Sequence, residues 1–285
     1  MPIKGVITAE VEVVMYNIEE LKKKTKQIKH KCLEMCVNAG IGHVTTAFSC
    51  AEIMTALYYR IMDIDISDPD WNDRDRFIMS KNHGSVITYP ILSDLGFIEE
   101  DSLKTFMGDG SYIGGHSKIC VNGVDFSGGA LGIGLGVACG YAYGAKLSNK
   151  KFKTYVLVGD GECYEGSIWE AAMFAGSNGL NNLVVILDRN GMACTDFTEH
   201  MLKQESFKDK WSSFNWEVME IDGHNMKDVV SALEYAKEYK GNKPICIIAK
   251  TVKGHGIDFM SNNPLMHGVA PKGDKIALAF EQVDK

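Results

Sequence analysis

The sequence lacks the long apolar and long basic segments of membrane and nucleic-acid-binding proteins. No apolar stretch in its 285 residues reaches the roughly 18–20 residues of a membrane-spanning helix. Lysine and arginine number 30 against 37 acidic residues, which gives a net charge of −7. We therefore expect neither a membrane nor a nucleic acid as partner. Lys4, Glu10 and Glu12 interrupt the N-terminus, which argues against a secretory signal.

Paired cysteine motifs, linkers, repeats and low-complexity segments are also missing. None of the eight cysteines occurs in a C-x-x-C arrangement. Cys32 and Cys36, one helical turn apart, have the only spacing that suits a metal or redox role. Buried reduced thiols are the simpler interpretation, and they indicate a cytoplasmic location. We expect residues 1–285 to form a single domain, with residues 1–15 as an N-terminal extension.

The G-x-G-x-x-G motif of nicotinamide-binding folds is absent from Ser127–Lys146, although this segment is rich in glycine. The motif would need glycine at Val137 or Cys139. Instead, glycines recur every four residues, at Gly132, Gly136, Gly140 and Gly144. Each glycine in a helix costs about 1 kcal/mol relative to alanine. We therefore expect this stripe to face a closely packed helix or a ligand.

The central stretch predicts a strand, a helix and a second strand. Thr154–Val158 and Leu183–Leu187 are apolar, β-branched runs, and Ser167–Gly179 between them has helical apolar spacing. In such a βαβ unit the two strands are parallel, so their carboxyl ends lie at the same edge of the sheet. Asp160 and Asn190 each follow one of these strands and are predicted to converge there.

A carboxylate and an amide oxygen at one sheet edge suit Mg²⁺ and a phosphate ligand. Asp160 stands between Gly159 and Gly161, which let the backbone approach an anionic group closely. For Gly-Asp-Gly alone, an ordinary turn with a capping aspartate is an equal alternative. Asn190 after the next strand favours the metal–diphosphate site.

Three histidines share one sequence context, a glycine-containing loop. They are His43, His83 and His116. A lone histidine of this kind is more often a loop residue without special function. Three suggest acid–base chemistry near neutral pH.

The remaining apolar patterns predict an α/β arrangement. Helices are expected over Ile18–Val37, Cys50–Met62, Lys208–Phe214 and Met226–Tyr239, the third of them on the surface. Strands are expected over Arg76–Met79, Trp216–Ile221 and Pro244–Lys250. Thr251–Ala270 has no regular period and is predicted to be an ordered functional loop.

These motifs together resemble the transketolase family from about Ile18 onward. The segments AGIGHVTTAFSCAEI and DRDRFIMSKNHGS resemble the family patterns Ser-Gly-x-Gly-His and Asp-Arg-Phe-x-x-Ser-x-Gly-His. GDGECYEG followed by NNLVVILDRN is similar to the thiamine-diphosphate motif, and KTVKGHGIDFM resembles the loop that closes over the cofactor. The resemblance implies a three-layer, doubly wound, mostly parallel α/β fold that binds thiamine diphosphate and Mg²⁺.

The resemblance also implies roles for individual residues. Mg²⁺ would be held by Asp160, Asn190 and the backbone carbonyl of Met192. The cofactor would contact these two side chains and further residues, namely Gly128, Gly129, Leu131, Gly159, Gly161, Glu162 and His267. The catalytic set would comprise four histidines of the substrate channel and one glutamate of an acidic network between the two active sites of a dimer, namely His43, His83, His116, His267 and Glu165.

Four positions depart from the family pattern as it is usually written. Asn82 replaces glycine before His83, and Ser117 replaces proline after the third histidine. Ala130 stands where the family has serine or proline, and Ile133 replaces glutamine. These departures concern the sugar that is bound more than the cofactor.

Full transketolases continue into a second α/β domain, which supplies the glutamate that activates the cofactor. The sequence ends at Lys285, so the resemblance implies the N-terminal subunit of a split transketolase. Such an enzyme transfers a two-carbon ketol unit from a ketose, free or phosphorylated, to an aldose. We expect the partner to be a C-terminal transketolase-like subunit, and we expect a homodimer of this chain within a heterotetramer.

Two other functions remain open. One is a subunit of another thiamine-diphosphate enzyme, of the 2-oxo-acid dehydrogenase or deoxyxylulose-phosphate synthase type. The other is a cofactor-binding relic without catalytic activity. The histidines favour a sugar substrate over an oxo acid, and retention of both predicted metal ligands argues against a relic.

Overall fold

The computed structural model describes residues 16–285. The N-terminal extension predicted over residues 1–15 lies outside the described residues. The sheet has five strands in the order β1-β2-β3-β5-β4, and all of its neighbouring strands are parallel. The strands are β1 (Arg76–Met79), β2 (Thr154–Gly159), β3 (Leu183–Arg189), β4 (Glu217–Asp222) and β5 (Ile245–Lys250). The predicted α/β class is confirmed.

Helices surround this sheet. They are α1 (Ile18–Ala39), α2 (Val44–Ser49), α3 (Ala51–Ala56), α4 (Thr88–Asp94), α5 (Gly134–Leu147), α6 (Gly166–Ser177), α7 (Thr198–Met201), α8 (Phe207–Ser213), α9 (Met226–Glu238) and α10 (Lys275–Val283). None of the helices in residues 16–285 combines the length and hydropathy needed to cross a membrane.

Most predicted elements agree with the structure to within two residues at each end. The helix predicted over Cys50–Met62 is different, because α3 ends at Ala56 and a π-helical turn, Leu57–Ile61, continues it. The helix predicted over Lys208–Phe214 is α8, and its surface assignment is wrong for Trp211, which is fully buried. Trp211 and Phe207, the first residue of α8, pack in the core on one face of the sheet.

Alternation along the strands creates two hydrophobic cores, one on each face of the sheet. On β3, Val184 and Ile186 pack in a cluster with side chains of α1, α3 and α9. Val185 and Leu187 pack on the opposite face with side chains of α5, α6 and α8. Successive strand residues point to opposite faces, so a strand buried on both sides needs a helix layer on each. The three-layer arrangement is thereby confirmed.

The ends of α1 are fixed by capping interactions. The Asn17 side chain accepts a hydrogen bond from the backbone N–H of Glu20 at 3.0 Å, and the Glu20 carboxylate accepts one from the N–H of Asn17 at 2.7 Å. At the other end Gly40 has a φ of 70°, a conformation that ends helices and favours glycine. The chain then leads directly to His43, which precedes α2.

The eight cysteines are free thiols, and six of them are buried. The expectation that the thiols are buried therefore holds for six cysteines. It fails for Cys120 and Cys194, which are exposed.

The glycine stripe differs from the prediction. Gly132 lies before α5, with a φ of 81°, and a Cβ there would come within 2.6 Å of the Glu165 side chain. Gly136, Gly140 and Gly144 lie on the exposed side of α5, where a Cβ would meet no other atom within 4 Å. The described chain thus covers only Gly132. Close packing on the other three would require a second chain and stays a prediction.

We predict opposite effects for alanine at Gly132 and Gly140. Gly132→Ala should lower the free energy of unfolding by about 1–3 kcal/mol, because its Cβ collides with Glu165 and α6 and its φ is unfavourable. In the dissociated chain, Gly140→Ala should raise it by up to about 1 kcal/mol, since alanine favours a helix and no atom of the described chain blocks its methyl group. Urea unfolding of the two variants measures both changes. Equal effects at the two positions would contradict this account.

Candidate active site

The carboxyl ends of β1, β2 and β3 border a cavity of about 430 Å³. Predicted site residues that line this cavity are His43, His83, His116, Gly129, Leu131, Gly161, Glu162, Glu165, Asn190, Met192 and His267. Three other predicted residues, Gly128, Gly159 and Asp160, are outside its lining, and the Asp160 side chain is almost fully buried.

Asp160 and Asn190 converge as the βαβ unit predicts. The Asp160 carboxylate accepts hydrogen bonds from the backbone N–H of Gly191 at 2.6 Å and from Arg189 Nη1 at 3.2 Å. Its other oxygen accepts one from the N–H of Gly161 at 2.8 Å. Burial, with a contribution from nearby Asp188, raises the pKa of Asp160 to about 6.

The orientation of the Asn190 amide is fixed from both sides. Its Nδ2 donates to a carboxylate oxygen of Asp188 at 3.1 Å, and its Oδ1 accepts from the backbone N–H of Met192 at 3.1 Å. These contacts distinguish the amide nitrogen from the oxygen and direct the oxygen toward the turn that follows β3. Asp160 and the segment that contains Asn190 and Met192 thus meet at one edge of the sheet, where both Asp160 oxygens accept hydrogen bonds from the chain. Metal binding by these three residues stays a prediction.

Only one of the two glycines beside Asp160 is required by close packing. A Cβ on Gly161 would lie 3.1 Å from the Cα of Ala193, tighter than ordinary van der Waals contact. A Cβ on Gly159 would have its nearest contact at 3.5 Å, with Lys81. Packing within the chain therefore requires glycine at Gly161 only, and the close approach of both glycines to an anionic group stays a prediction.

Four histidines that are distant in sequence form one cluster. The ring centroid of His43 lies 5.4 Å from that of His83, 6.3 Å from His116 and 5.1 Å from His267. His83 and His267 are 5.4 Å apart. Each ring comes from a different chain segment, and His43 is the central member.

The three half-buried histidines of this cluster are neutral near pH 7. Burial, then the charges of His116 and Lys253, lowers the pKa of His43 to about 4. Burial and Lys253 lower the pKa of His267 to about 4, and burial lowers the pKa of His83 well below its ordinary value. Neutral imidazoles accept protons and hydrogen bonds, which suits contact with hydroxyl groups.

The two glutamates of the predicted site have different environments. The Glu162 carboxylate is buried and accepts from Ser80 Oγ at 2.5 Å and from the backbone N–H groups of Gly132 and Gly159 at 2.9 and 3.1 Å. Its oxygens therefore hold the loops around the cavity. Glu165 is exposed at the cavity rim.

Comparison with known proteins identifies the family. Residues 21–283 match the family described as transketolase, thiamine diphosphate binding domain. The chain belongs to the transketolase family. The resemblance found in the sequence motifs is thereby confirmed, as is the expectation of a thiamine-diphosphate-binding domain.

Individual transketolases and their subunits match most of this chain. It is 41% identical to an apulose-4-phosphate transketolase subunit of Actinobacillus succinogenes, over 94% of this chain and 98% of that protein. It is 35% identical to the 6-deoxy-6-sulfo-D-fructose transketolase subunit SqwG of a Clostridium species, over 93% and 97% of the two chains. The crystal structure of Campylobacter jejuni transketolase has a TM-score of 0.87 and 30% identity, over 94% of this chain but 43% of that one.

A buried ion pair that the sequence pattern did not predict lies in the floor of the transketolase cavity. Lys81 Nζ binds the Asp188 carboxylate, which also accepts from Ser49 Oγ at 2.6 Å and from Thr251 Oγ1. Burial acts to raise the pKa of Asp188, but the charge and hydrogen bond of Lys81 outweigh it and hold that pKa low. The sequence feature that could have indicated this pair is a lysine two residues after β1 together with an aspartate within β3, where apolar residues are usual.

A second lysine of the cavity was also missed. Lys253 is buried, and its Nζ donates to the carbonyl of Ala193 at 2.9 Å and lies 3.0 Å from His267 Nδ1. Because a lysine ammonium can only donate, His267 Nδ1 accepts when Lys253 is charged. The lysine therefore fixes the tautomer of His267. Its position in an irregular loop gave no periodic signal.

We predict that Lys253→Met reduces the rise in the free energy of unfolding that the chain shows as the pH increases above about 8. Burial, with the charge of Lys81, lowers the pKa of Lys253 from its ordinary 10.5 to about 8. Between these values the unfolded chain holds a proton that the folded chain has lost. Stability therefore rises with pH in this window, by about 1–3 kcal/mol for this group.

Urea unfolding between about pH 7 and about pH 10 measures this rise. It should be smaller in Lys253→Met than in the wild type, whereas exposed Lys272→Met should keep it. A pH profile of Lys253→Met parallel to that of the wild type would show that this pKa is not lowered.

Proposed function

We propose that this chain is the thiamine-diphosphate-binding subunit of a two-subunit transketolase that transfers a two-carbon ketol unit from a ketose to an aldose. The observation that carries the proposal is the cluster of four histidines above the edge where Asp160 and Asn190 converge. The names of the Actinobacillus and Clostridium relatives support it, since each is called a subunit of a transketolase. We further propose that the chain is one domain and is cytoplasmic.

The oxygen donors at the sheet edge support Mg²⁺ as the metal. Asp160, Asn190 and the Met192 carbonyl offer hard oxygen ligands, and Mg²⁺ in proteins is commonly bound by few such ligands together with phosphate oxygens. The raised pKa of Asp160, about 6, reflects a carboxylate whose charge is poorly compensated by the chain alone. A divalent cation would compensate it. Gly161 lines the cavity beside these donors.

Bound thiamine diphosphate supplies carbanion stabilisation, which the side chains of this protein lack. The histidines contribute contacts and proton transfer. His43 and His83 are neutral near pH 7, so each has one ring nitrogen that can accept a hydrogen bond from a sugar hydroxyl. His267 accepts from Lys253 through Nδ1, so its Nε2–H can donate one. His116 is exposed at the cavity mouth and would contact the part of the substrate that enters last.

The relatives support an anionic sugar as substrate. One is named for a sugar phosphate and the other for a sulfonated sugar, so we propose a ketose with a phosphate or sulfonate end. Within the described residues, Lys81 and Lys253 are committed to Asp188, Ala193 and His267. We therefore propose that the second subunit binds the distal anion.

An exposed apolar surface supports assembly of this chain with other chains. It combines the open glycines of α5 with large side chains of α5 and α6 and the residue before α5, namely Ile133, Tyr143, Leu147, Met173 and Phe174, which are 38–69% exposed. Such a surface favours a protein interface. We propose that it pairs two copies of this chain, with Glu165 near the symmetry axis, and that two C-terminal transketolase-like subunits complete a heterotetramer.

We predict that Asp160→Asn weakens Mg²⁺-dependent binding of thiamine diphosphate by more than about 100-fold, since it removes a charged metal ligand. Calorimetry of the assembled enzyme measures the affinity. The control is Asp222→Asn, which changes an exposed carboxylate at the end of β4. An Asp160→Asn enzyme with wild-type cofactor affinity would refute the assignment of this site.

We predict that His83→Ala lowers ketol-transfer turnover by about 100-fold or more, because a proton-transfer group is lost. Cofactor affinity should change much less. His200→Ala, which changes an exposed ring on α7, is the matched control. Turnover within twofold of the wild type would remove His83 from the catalytic set.

We predict that this chain alone, with Mg²⁺ and thiamine diphosphate, shows no ketol transfer. Its cofactor affinity should be weak, because only part of the cofactor site is contributed by this chain. Adding the second subunit should restore both, as measured by xylulose phosphate consumption and by calorimetry. Full turnover in a preparation shown to contain no second subunit would refute the two-subunit proposal.

A further inference from the structure

Asn82 connects three loops of the cavity wall, although it does not line the cavity itself. It lies directly before His83 and its side chain is almost fully buried. Its Nδ2 donates to the carbonyl of Met79 at 3.4 Å and to Ser117 Oγ at 3.2 Å. Its Oδ1 accepts from the backbone N–H of Ser117 at 2.8 Å and from Ser85 Oγ at 3.3 Å. Both ends of the amide are therefore engaged.

The contact with Ser117 joins the loop of His83 to the loop of His116. Ser117 is 3% exposed, and its Oγ lies within hydrogen-bond distance of Ser85 Oγ, at 3.0 Å. A buried backbone N–H left without a partner destabilises the fold. The Asn82 oxygen satisfies this group, so the position of the His116 loop depends on the amide.

The two departures from the family pattern noted at these positions are chemically one exchange. Where the family has glycine and proline, this chain has Asn82 and Ser117. Proline has no N–H to donate, and glycine has no side chain to accept. The serine supplies a backbone N–H, and the asparagine supplies the side-chain oxygen that accepts its hydrogen bond. The two departures therefore explain each other.

Asn82 also determines the residue at the third loop. A Cβ on Gly128 would lie 2.1 Å from Asn82 Nδ2 and 2.8 Å from its Cβ. The amide cannot move aside without losing its hydrogen bonds. Gly128 is therefore a glycine because Asn82 occupies the adjacent space, and the segment from Gly128 to Leu131 at the cavity wall is held against this side chain.

We propose that Asn82 and Ser117 are positioning residues that set the relative placement of His83 and His116, and through them the sugars that the cavity accepts. The consequence for sugars rests on the proposed function. The placement of the two histidine loops rests on the contacts alone. Loosening the pair should affect sugar binding more than cofactor binding, because Asp160 and Asn190 follow other strands.

A steric rescue tests the Gly128 contact. Gly128→Ala should lower the Tm of the chain by about 5 °C or more through overpacking. In an Asn82→Gly background the same alanine should lower it little, because the blocking side chain is gone. Gly114→Ala, where a Cβ would meet no other atom within 4 Å, should not lower it. Equal Tm losses from Gly128→Ala in both backgrounds would overturn the contact.

A second cycle tests the hydrogen bond between the loops. Ser117→Pro, which removes the N–H, should lower the Tm in the wild type but add little to Asn82→Gly, since the acceptor is already absent. Ser117→Ala, which keeps the N–H, should have the smaller effect. A proline that lowers the Tm equally in both backgrounds would mean that the backbone, and not Asn82, disfavours it, and would overturn the pairing.

Histidine NMR tests the positioning itself and does not depend on the reaction. Asn82→Gly should shift the imidazole C–H resonances of His83 and His116 and leave exposed His200 unchanged. If the two resonances do not move, the positioning role is refuted even where the Tm cycles show coupling. A wild-type assembly without ketol transfer would refute the proposed function, but these resonances would still decide the role of Asn82.

In the assembled enzyme, Asn82→Gly should raise the KM for xylulose phosphate by about tenfold or more, because misplaced contacting groups weaken substrate positioning. The affinity for thiamine diphosphate, measured by calorimetry, should stay within about twofold. The double change Asn82→Gly with Ser117→Pro, which restores the family pair, should recover part of the KM. Equal losses of sugar and cofactor affinity would indicate general disruption of the site and overturn the specificity role.

Discussion

The buried ion pair of Lys81 and Asp188 is the interaction on which the cavity depends. Neither charge is accessible to water, and removing one partner of such a pair typically costs about 3–5 kcal/mol, because the other charge is left buried. Asp188 lies in β3, Lys81 follows β1, and Ser49 and Thr251 bring α2 and the segment after β5 to the same carboxylate. One side chain therefore fixes the four chain segments that form the cavity floor.

The predicted metal edge and the histidine cluster both derive their geometry from this pair. Asn190 is oriented by donating to Asp188, and the pKa of Asp160 is raised by burial and by the same carboxylate. On the other side, Lys81 is followed after one residue by His83, so anchoring the lysine also anchors the imidazole. The positive charge of Lys81 beneath the cavity adds to burial in lowering the pKa values of His83 and His267.

The sequence predicted the features of this chain that are periodic or lie at strand ends. Runs of apolar, β-branched residues predicted the strands. The parallel arrangement of β2 and β3 predicted that Asp160 and Asn190 converge, independently of any family resemblance. The burial of Lys81 was not predicted, because a lysine is expected to be buried only when its ion-pair partner is known. That partner, Asp188, is more than a hundred residues away in sequence. The exposure of the α5 glycines was not predicted for a related reason. A glycine stripe indicates that a neighbour can approach closely, but it does not show whether that neighbour belongs to the same chain or to a second one.

The exposed face of α5 supports the same proposal as the partial cofactor site, namely that this chain assembles with other chains. Gly136, Gly140 and Gly144 together weaken the helix by roughly 3 kcal/mol relative to alanine, and nothing within the described chain uses the space they leave. The apolar side chains of Met173 and Phe174 beside them are about half exposed, at a cost in hydration that only burial recovers. An interface would use the space and bury these side chains together. The ion pair and the two cores thus hold the fold of this chain, while its exposed apolar surface supports the proposed assembly with other chains.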